Sequence, residues 1–532
     1  AWLEEGKYRY TYVDARLAAL LARDPEARVL LRVQIDSPPW WERAHPQALV
    51  PVPKGTDRAG ARKASHASWY AAEWRLAAAQ ALQNLVRHVE SGPYASRIVG
   101  YELDSGRHGA WGPWHQTAAA QETGAAAQAA YRAWLQRKYG SLAALRVAWG
   151  QPRQPVMDSP EVKAGFILTQ WNQVTIPAAR ALLDTGRPTL FDPSGQQHLA
   201  DYQQFLGDYT AGVILELIRA GRQAAPAGRE WGACYGHLLW WPEEDWPPSL
   251  SGQLGLGRIL ASPDMDFLVG PPGAGDFPST LVGSLRVRGK RYLAQPEQRV
   301  TGAGALNSGC GLICTGPKHL ATAEQTLVQA AEPPRLTTVL VVDESSLAHL
   351  SPATDFQHVT LQEQARQLAS GPPWEGYLLN DLLAAPESDL YLMAATYRIP
   401  ERLRPAVLAR LSQAGVVMWV YAAGALDSGY IDPSAIFTLT GLKLTIVGAP
   451  AQLRTQVVGV QAGDRPVVYG PEQAVQPWFP LLEGPQALGQ ILEKPWTGLA
   501  WRRANGQIIA YSTAPGVPQA VLERLLEERR LR

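Results

Sequence analysis

Sulfur is nearly missing from this sequence: its 532 residues include three cysteines and four methionines. Cys234, Cys310 and Cys314 are too few for a disulfide framework. The two thiols of GCGLICTG (309–316) have no histidine beside them, so they read as small buried hydrophobes rather than metal ligands. An excess of charge of one sign is missing too. The formal net charge is +1, and without a run of like charges neither a nucleic-acid footprint nor an acidic tail is expected. No apolar run approaches the roughly 18 residues of a membrane span, so none is expected. The chain opens on AWLEEGKYRYTYVDARLAALLA, with neither an initiator Met nor a signal-peptide pattern. Such a start reads as cut, and it leaves localisation open.

Phenylalanine is short as well, at 8, whereas tryptophan reaches 19. Either ring fills a core, but an indole also stacks on the flat apolar face of a sugar while donating a hydrogen bond. The excess therefore favours a carbohydrate ligand. Otherwise the composition, 46% hydrophobic and 18% charged, is that of an α/β protein long enough for two or three domains.

Six short apolar strands punctuate the first two thirds: VLLRVQID (29–36), RIVGYELD (97–104), REWGACYG (229–236), MDFLVGPP (265–272), KRYLAQPE (290–297) and GCGLICTG (309–316). Helical periodicity lies between them, over 66–90, over 129–150 with a break at Gly140 and a Ser141 cap, and over 201–224. Repeated βα units predict a parallel sheet, doubly wound or closed as a barrel. AEPPRL (331–336) reads as a linker between 1–330 and 337–532. Beyond it TTVLVVDESSL, DLYLMAATY and VVMWVYAAG alternate with helices, a series that suggests a flavodoxin-like domain. PVVYG and GQIIAYS are two further strands, and VPQAVLERLLEERR a last helix.

Several stretches together resemble one family. QIDSPPWW, AEWRLAAAQALQNLVRHVE, RIVGYELDSGRHGAWGPWH, YRAWLQRKYGSLAALRVAWG, ILASPDMDFLVGPPGAGD, VRGKRYLAQPEQR, VVMWVYAAGALDSGYI and IIAYSTAPGVP look like the galactosidase-like glycoside hydrolases of clan A, near family 42. YRAWLQRKYGSLAALRVAWG is the most specific piece. The resemblance implies a (β/α)8 TIM barrel followed by a flavodoxin-like domain of trimerisation type. VLLRVQID would then be the third barrel strand, RIVGYELD the fourth and KRYLAQPE the seventh. The first two strands would be absent from this chain, and a second chain could supply them.

Such hydrolases set an acid and a nucleophilic carboxylate about 5–5.5 Å apart when they retain configuration. The resemblance puts the acid after the fourth strand, at Gly106 or, in a later register, at Ala110. The nucleophile after the seventh falls on Gln295 or, shifted, on Glu297. Gly, Ala and Gln cannot do this chemistry, which is the pattern of an inactivated enzyme or a natural pseudoenzyme. Asp104, which shares a strand face with Glu102, and the loop histidines His108 and His115 are the substitutes near the fourth strand. Glu297 and Arg299 follow the seventh, where they read equally as an ion pair.

Barrel sites gather at strand C-termini. Asp36, Trp40 and Trp41, then His108, Trp111 and Trp114, then His237, Trp240 and Trp241 follow three successive strands there, with Arg299 after the seventh, and form the expected saccharide-binding set. The acidic run at 243–245 reads as a solvated loop. In the second domain no cysteine follows Cys314 and VVDESSLAHL holds no glycine, which excludes amidotransferase and phosphate-loop chemistry. The expectation is a β-galactosidase-like hydrolase of a saccharide or glycoside, without metal or organic cofactor, as a homo-oligomer. The alternative is a carbohydrate-binding or assembly protein that has lost its catalytic glutamates.

Overall fold

The computed structural model describes residues 2–50, 66–114, 121–155, 157, 159–165, 167–184, 186, 188–242, 246–270, 277–294, 311–312, 336–462, 465–483 and 486–531. An N-terminal hairpin, β1 (Trp2–Glu4) and β2 (Lys7–Tyr8), precedes two large sheets.

The first sheet has six strands in chain order: β3 (Val29–Gln34), β4 (Ile98–Asp104), β5 (Glu230–Cys234), β6 (Phe267–Val269), β7 (Arg291–Ala294) and β8 (Gly311–Leu312). Every neighbouring pair is parallel. This is the third-to-eighth arc of a TIM barrel, as expected. Strand alternation divides its two faces. On β4, Tyr101 stacks on Trp231 of β5 at 4.7 Å and its hydroxyl donates to Glu90 on the helix Ala72–Ser91. Glu102 and Asp104 therefore face the opposite, barrel side, toward Arg32 of β3.

The second sheet begins as a parallel β10–β9–β11–β12–β19 layer: β9 (Thr338–Val342), β10 (Trp374–Leu378), β11 (Leu390–Ala395), β12 (Val416–Val420) and β19 (Gln507–Ser512). Counted within this unit, the order is 2-1-3-4-5, that of a flavodoxin-like fold. It continues antiparallel through β18 (Thr497–Ala504), β17 (Gln486–Ile491), β14 (Thr455–Ala462) and β15 (Arg465–Tyr469). The short β13 (Lys443–Leu444) and β16 (Leu481–Glu483) attach to β18. The two units are tied by polar contacts as well as by a shared apolar core. Gln203 donates to the carbonyls of Ala348 and Leu350, Phe191 N–H donates to His349, and Arg288 pairs with Asp381. Of the expected linker, 331–336, residues 331–335 lie outside the described residues, and Leu336 is buried in the core.

The most specific stretch of the resemblance turns out to be architectural. It forms the helices Ala125–Tyr139 and Leu142–Ala148, broken at Gly140 and capped by Ser141, whose Oγ accepts from Ala144 N–H. Lys138 Nζ (2.9 Å), Tyr139 OH (2.8 Å) and Trp149 Nε1 (2.7 Å) all donate to Asp201, a fully buried carboxylate of the long helix Pro193–Arg222. Gln197 adds a fourth donor at 2.8 Å. A buried charge is tolerated only when paired and hydrogen-bonded in this way. Asp201→Ala should therefore cost about 3–5 kcal/mol, read as a loss of denaturation free energy, and Lys138→Met made together with it should recover part of that loss.

Candidate active site

The site is built where β3 and β4 end. Arg32 donates to Glu102 Oε1 from Nη2 (2.7 Å) and Nε (3.1 Å), and its Nε lies 2.8 Å from Asp104 Oδ2. Both carboxyls are buried, at 2% and 5% exposure. Two adjacent carboxylates and one guanidinium in a desolvated site cannot all carry charge. Burial, then the neighbouring Glu102, pushes Asp104 up to about 8, and the two acids share a hydrogen bond. Glu102 is raised as well by burial, with Arg32 opposing the shift. Burial and the neighbouring acid thus favour the protonated form of Asp104 near neutral pH, with Arg32 opposing the shift. Its Oδ1 is buried without a hydrogen-bond partner.

The loop after β4 closes over this pair. Backbone bonds from Trp111 N–H to Ser105 (2.8 Å) and from Arg107 N–H to Gly112 (3.1 Å) fold it tightly. The Trp111 indole donates back to the Leu103 carbonyl at 2.9 Å, and Gln253 donates to the Ala110 carbonyl at 3.0 Å. Four residues take positive φ: Gly106 (74°), His108 (57°), Gly109 (73°) and Trp111 (54°). His108 and Trp111 pay for that conformation with local strain, of the kind that collects at functional sites.

This geometry explains the missing glutamate. A Cβ on Gly106 would stand 2.3 Å from the Gly112 carbonyl and 3.1 Å from the Trp69 ring. No side chain fits there, so at Gly106, the first expected register for the acid, the backbone itself leaves no room for a carboxylate. Ala110 differs: its methyl lies against Cys234, Phe267 and Val269 at the barrel mouth, and no positive φ restricts it.

The other expected site residues divide. Asp36 joins the site, accepting from Ser105 Oγ at 3.3 Å and from Gln34, and burial raises its pKa. His108 lies exposed on the loop, 3.1 Å from Arg107 Nε. His237 is buried between Cys234 Sγ (3.4 Å) and Ser279 Oγ (3.0 Å), and burial lowers its pKa to about 3. It is a neutral strut: Ser279 in turn meets Tyr292 OH at 3.0 Å, linking the ends of β5 and β7. The tryptophans largely leave the expected sugar-stacking role, because broad rings fill the gaps beneath long loops. Trp40 donates to the Trp2 carbonyl, Trp41 packs on His45 and Trp74, Trp111 is 1% exposed, and Trp241 is buried edge-on to His358. Trp240 is half-buried against the core. Trp114 lines a cavity, stacked at 3.7 Å on His66. His115, the run at 243–245, Gln295, Glu297 and Arg299 lie outside the described residues.

Sequence reasoning missed Arg32 and Glu122. An arginine inside the apolar run VLLRVQ was the available signal for the first. Glu122 sits in a stretch without periodicity, and only the fold brings it beneath Ser68, whose hydroxyl it accepts. Among the described residues no group of three or more His, Cys, Asp or Glu could hold a metal, and no helix is long and apolar enough to cross a membrane.

With this geometry in hand, comparison with known proteins gives a consistent answer. Residues 3–227 match the family model Glyco_hydro_42, described as beta-galactosidase. The β-galactosidase of the psychrophilic Marinomonas ef1 superposes with a TM-score of 0.64 at 17% identity, covering 99% of this chain and 85% of that one. The cold-adapted β-galactosidase of Rahnella sp. R3 gives 0.63 at 16% identity, over 99% and 82%. That of Bacillus circulans sp. alkalophilus gives 0.62 at 15%, again over 99% and 82%. No curated protein matches. The chain thus resembles the galactosidase-like hydrolases of clan A, and at these identities the solved structures establish its fold.

The two acid slots should answer substitution differently. Gly106→Glu should cost several kcal/mol, the positive φ alone taking about 1, and more than Ala110→Glu, which meets no backbone strain and loses stability only by setting a carboxyl against Cys234, Phe267 and Val269. Thermal denaturation of the two variants checks this, and equal losses would contradict the loop geometry.

Proposed function

We propose that the chain is a β-galactosidase-like glycoside hydrolase in which Asp104 supplies the proton that Gly106 cannot. The carrying observation is a buried carboxyl paired with a second acid at the C-terminal end of β4, its pKa raised by burial, close to where the resemblance puts the acid. A general acid must hold its proton at the working pH and sit near the leaving oxygen. Burial and the Glu102 charge meet the first condition. Toward the second, the glycine at 109 keeps a Cβ from standing 3.0 Å from Asp104 Oδ2, the oxygen that faces Arg32 Nε. Arg32 would hold the charge that remains on the pair when the proton leaves. By resemblance, the facing carboxylate is Glu297, with Gln295 the disarmed alternative. Asp36 and His108 lie where a sugar hydroxyl could be met.

One observation favours a second reading. The tight loop that shuts the Gly106 slot also buries Asp104 to 95%, as a protein that binds saccharide without turnover would do. Hydrolysis of nitrophenyl β-galactoside separates the two. The hydrolase reading expects turnover that falls as pH rises through about 8, because Asp104 loses its proton there. It also expects Asp104→Asn to lower kcat a hundredfold or more, on the order of a general acid's contribution. Saccharide binding by calorimetry with no hydrolysis at any pH would decide for the binding protein.

A further inference from the structure

Across Trp69 from the closed acid slot lies a second pocket that this chemistry does not use. Trp69, Tyr70, Trp114, Tyr202 and Trp246 contribute aromatic walls, with Leu182, Leu183, Leu206 and Leu250 completing a mostly apolar lining. Into it projects one acid, Glu122. Its carboxyl is deep in the protein yet keeps accessible surface, because it borders the cavity rather than packed atoms.

The charge balance of this pocket is unusual. Glu122 accepts from the Ser68 hydroxyl, and no ion pair includes it among the described residues. The basic residue on this wall, Arg75, is committed elsewhere: to the carbonyls of Trp69 (2.9 Å) and Tyr70 (3.1 Å), the Tyr209 hydroxyl (2.9 Å) and Glu216 (3.0 Å). No Lys, Arg or His is among the described lining residues. Burial accordingly raises the Glu122 pKa to about 7, opposed only by the Ser68 hydrogen bond. A carboxyl with no cation beside it among the described residues, faced by π-surfaces, is complementary to one class of ligand. Aromatic faces attract a positive centre that has shed water, and a buried carboxylate gains most from a cation that brings its own apolar cover.

We propose that the pocket formed by Trp69, Tyr70, Trp114, Tyr202, Trp246 and Glu122 binds an organic ammonium ion carrying apolar groups. The cation meets Glu122 and the aromatic faces, and its hydrocarbon part lies against the leucines. A polyhydroxylated sugar is the competing occupant, since Gln121, Thr210 and Ser251 also line the pocket and the Trp114 indole N–H has no acceptor among the described residues. The assignment does not rest on the hydrolase reading. Because Trp69 borders both the pocket and Gly106, an occupant would also stiffen the floor of the β4 loop.

Calorimetry at pH 8 with benzylammonium and its neutral counterpart benzyl alcohol tests it on the whole chain. The unaltered protein should bind the ammonium at least tenfold more tightly than the alcohol. Glu122→Gln should bind the two alike, and Trp114→Ala should weaken the ammonium severalfold. Equal affinities in the unaltered protein, no binding of either, or a preference that survives in Glu122→Gln would each overturn the assignment. Displacement of the ammonium by methyl β-galactoside would overturn it too, by making the pocket part of the saccharide cleft. Should Glu122→Gln fail to fold, the ratio measured on the unaltered protein decides alone.

Discussion

One guanidinium facing two buried carboxyls is the constraint around which this barrel mouth is organised. Arg32 comes from β3, Glu102 and Asp104 from β4, and parallel pairing sets Arg32 opposite Glu102 in the ladder. Arg32 offsets only part of the charge of two acids in a desolvated site, so burial favours the protonated form of Asp104. That proton is the difference between a structural ion pair and a group able to donate. The Ser105–Gly112 loop then keeps the arrangement dry, pinned by Trp111 to Leu103 and by Gln253 to Ala110.

The surrounding fold spends much of its polar chemistry on rigidity. His237, Ser279 and Tyr292 brace β5 against β7 with a neutral imidazole. Asp201 gathers four donors and locks three helices together outside the barrel. The second unit holds the first through Gln203, Phe191 and Arg288. A site held on strands and supported in this way is positioned more accurately than one on loops alone.

The sequence made the strands of the first sheet legible, because parallel strands buried on both faces read as continuous apolar runs. VLLRVQID became β3, two residues shorter at its C-terminal end, and RIVGYELD became β4, one residue shorter at its N-terminal end. The helix read from 201 begins eight residues earlier, at Pro193, where Asp192 caps it ahead of the apolar rhythm. In the second unit β14, β17 and β18 were missed. They are antiparallel, partly exposed and interrupted by Gly459, Gly489 and Gly498, which blurs their alternation. At the site, the grouping of Asp104 with Glu102 on one strand face was legible from alternation, whereas the closure of the backbone at Gly106 was not. The burial of Trp41, Trp111 and Trp241 was not, since sugar platforms and loop fillers demand the same residue. Arg32 and Glu122 owe their roles to contacts 70 and 54 residues away in sequence, which no local pattern encodes.

The retained proton is the claim on which the rest turns, and infrared difference spectroscopy observes it directly. A protonated carboxyl absorbs as a carbonyl, apart from ionised carboxylates, in the protein at neutral pH. The account predicts such a band at pH 6.5 that is absent from Asp104→Asn and fades in the unaltered protein as pH rises through about 8. A spectrum at pH 6.5 that Asp104→Asn leaves unchanged would mean that Arg32 holds both acids ionised, and the proton donor would have to be sought elsewhere.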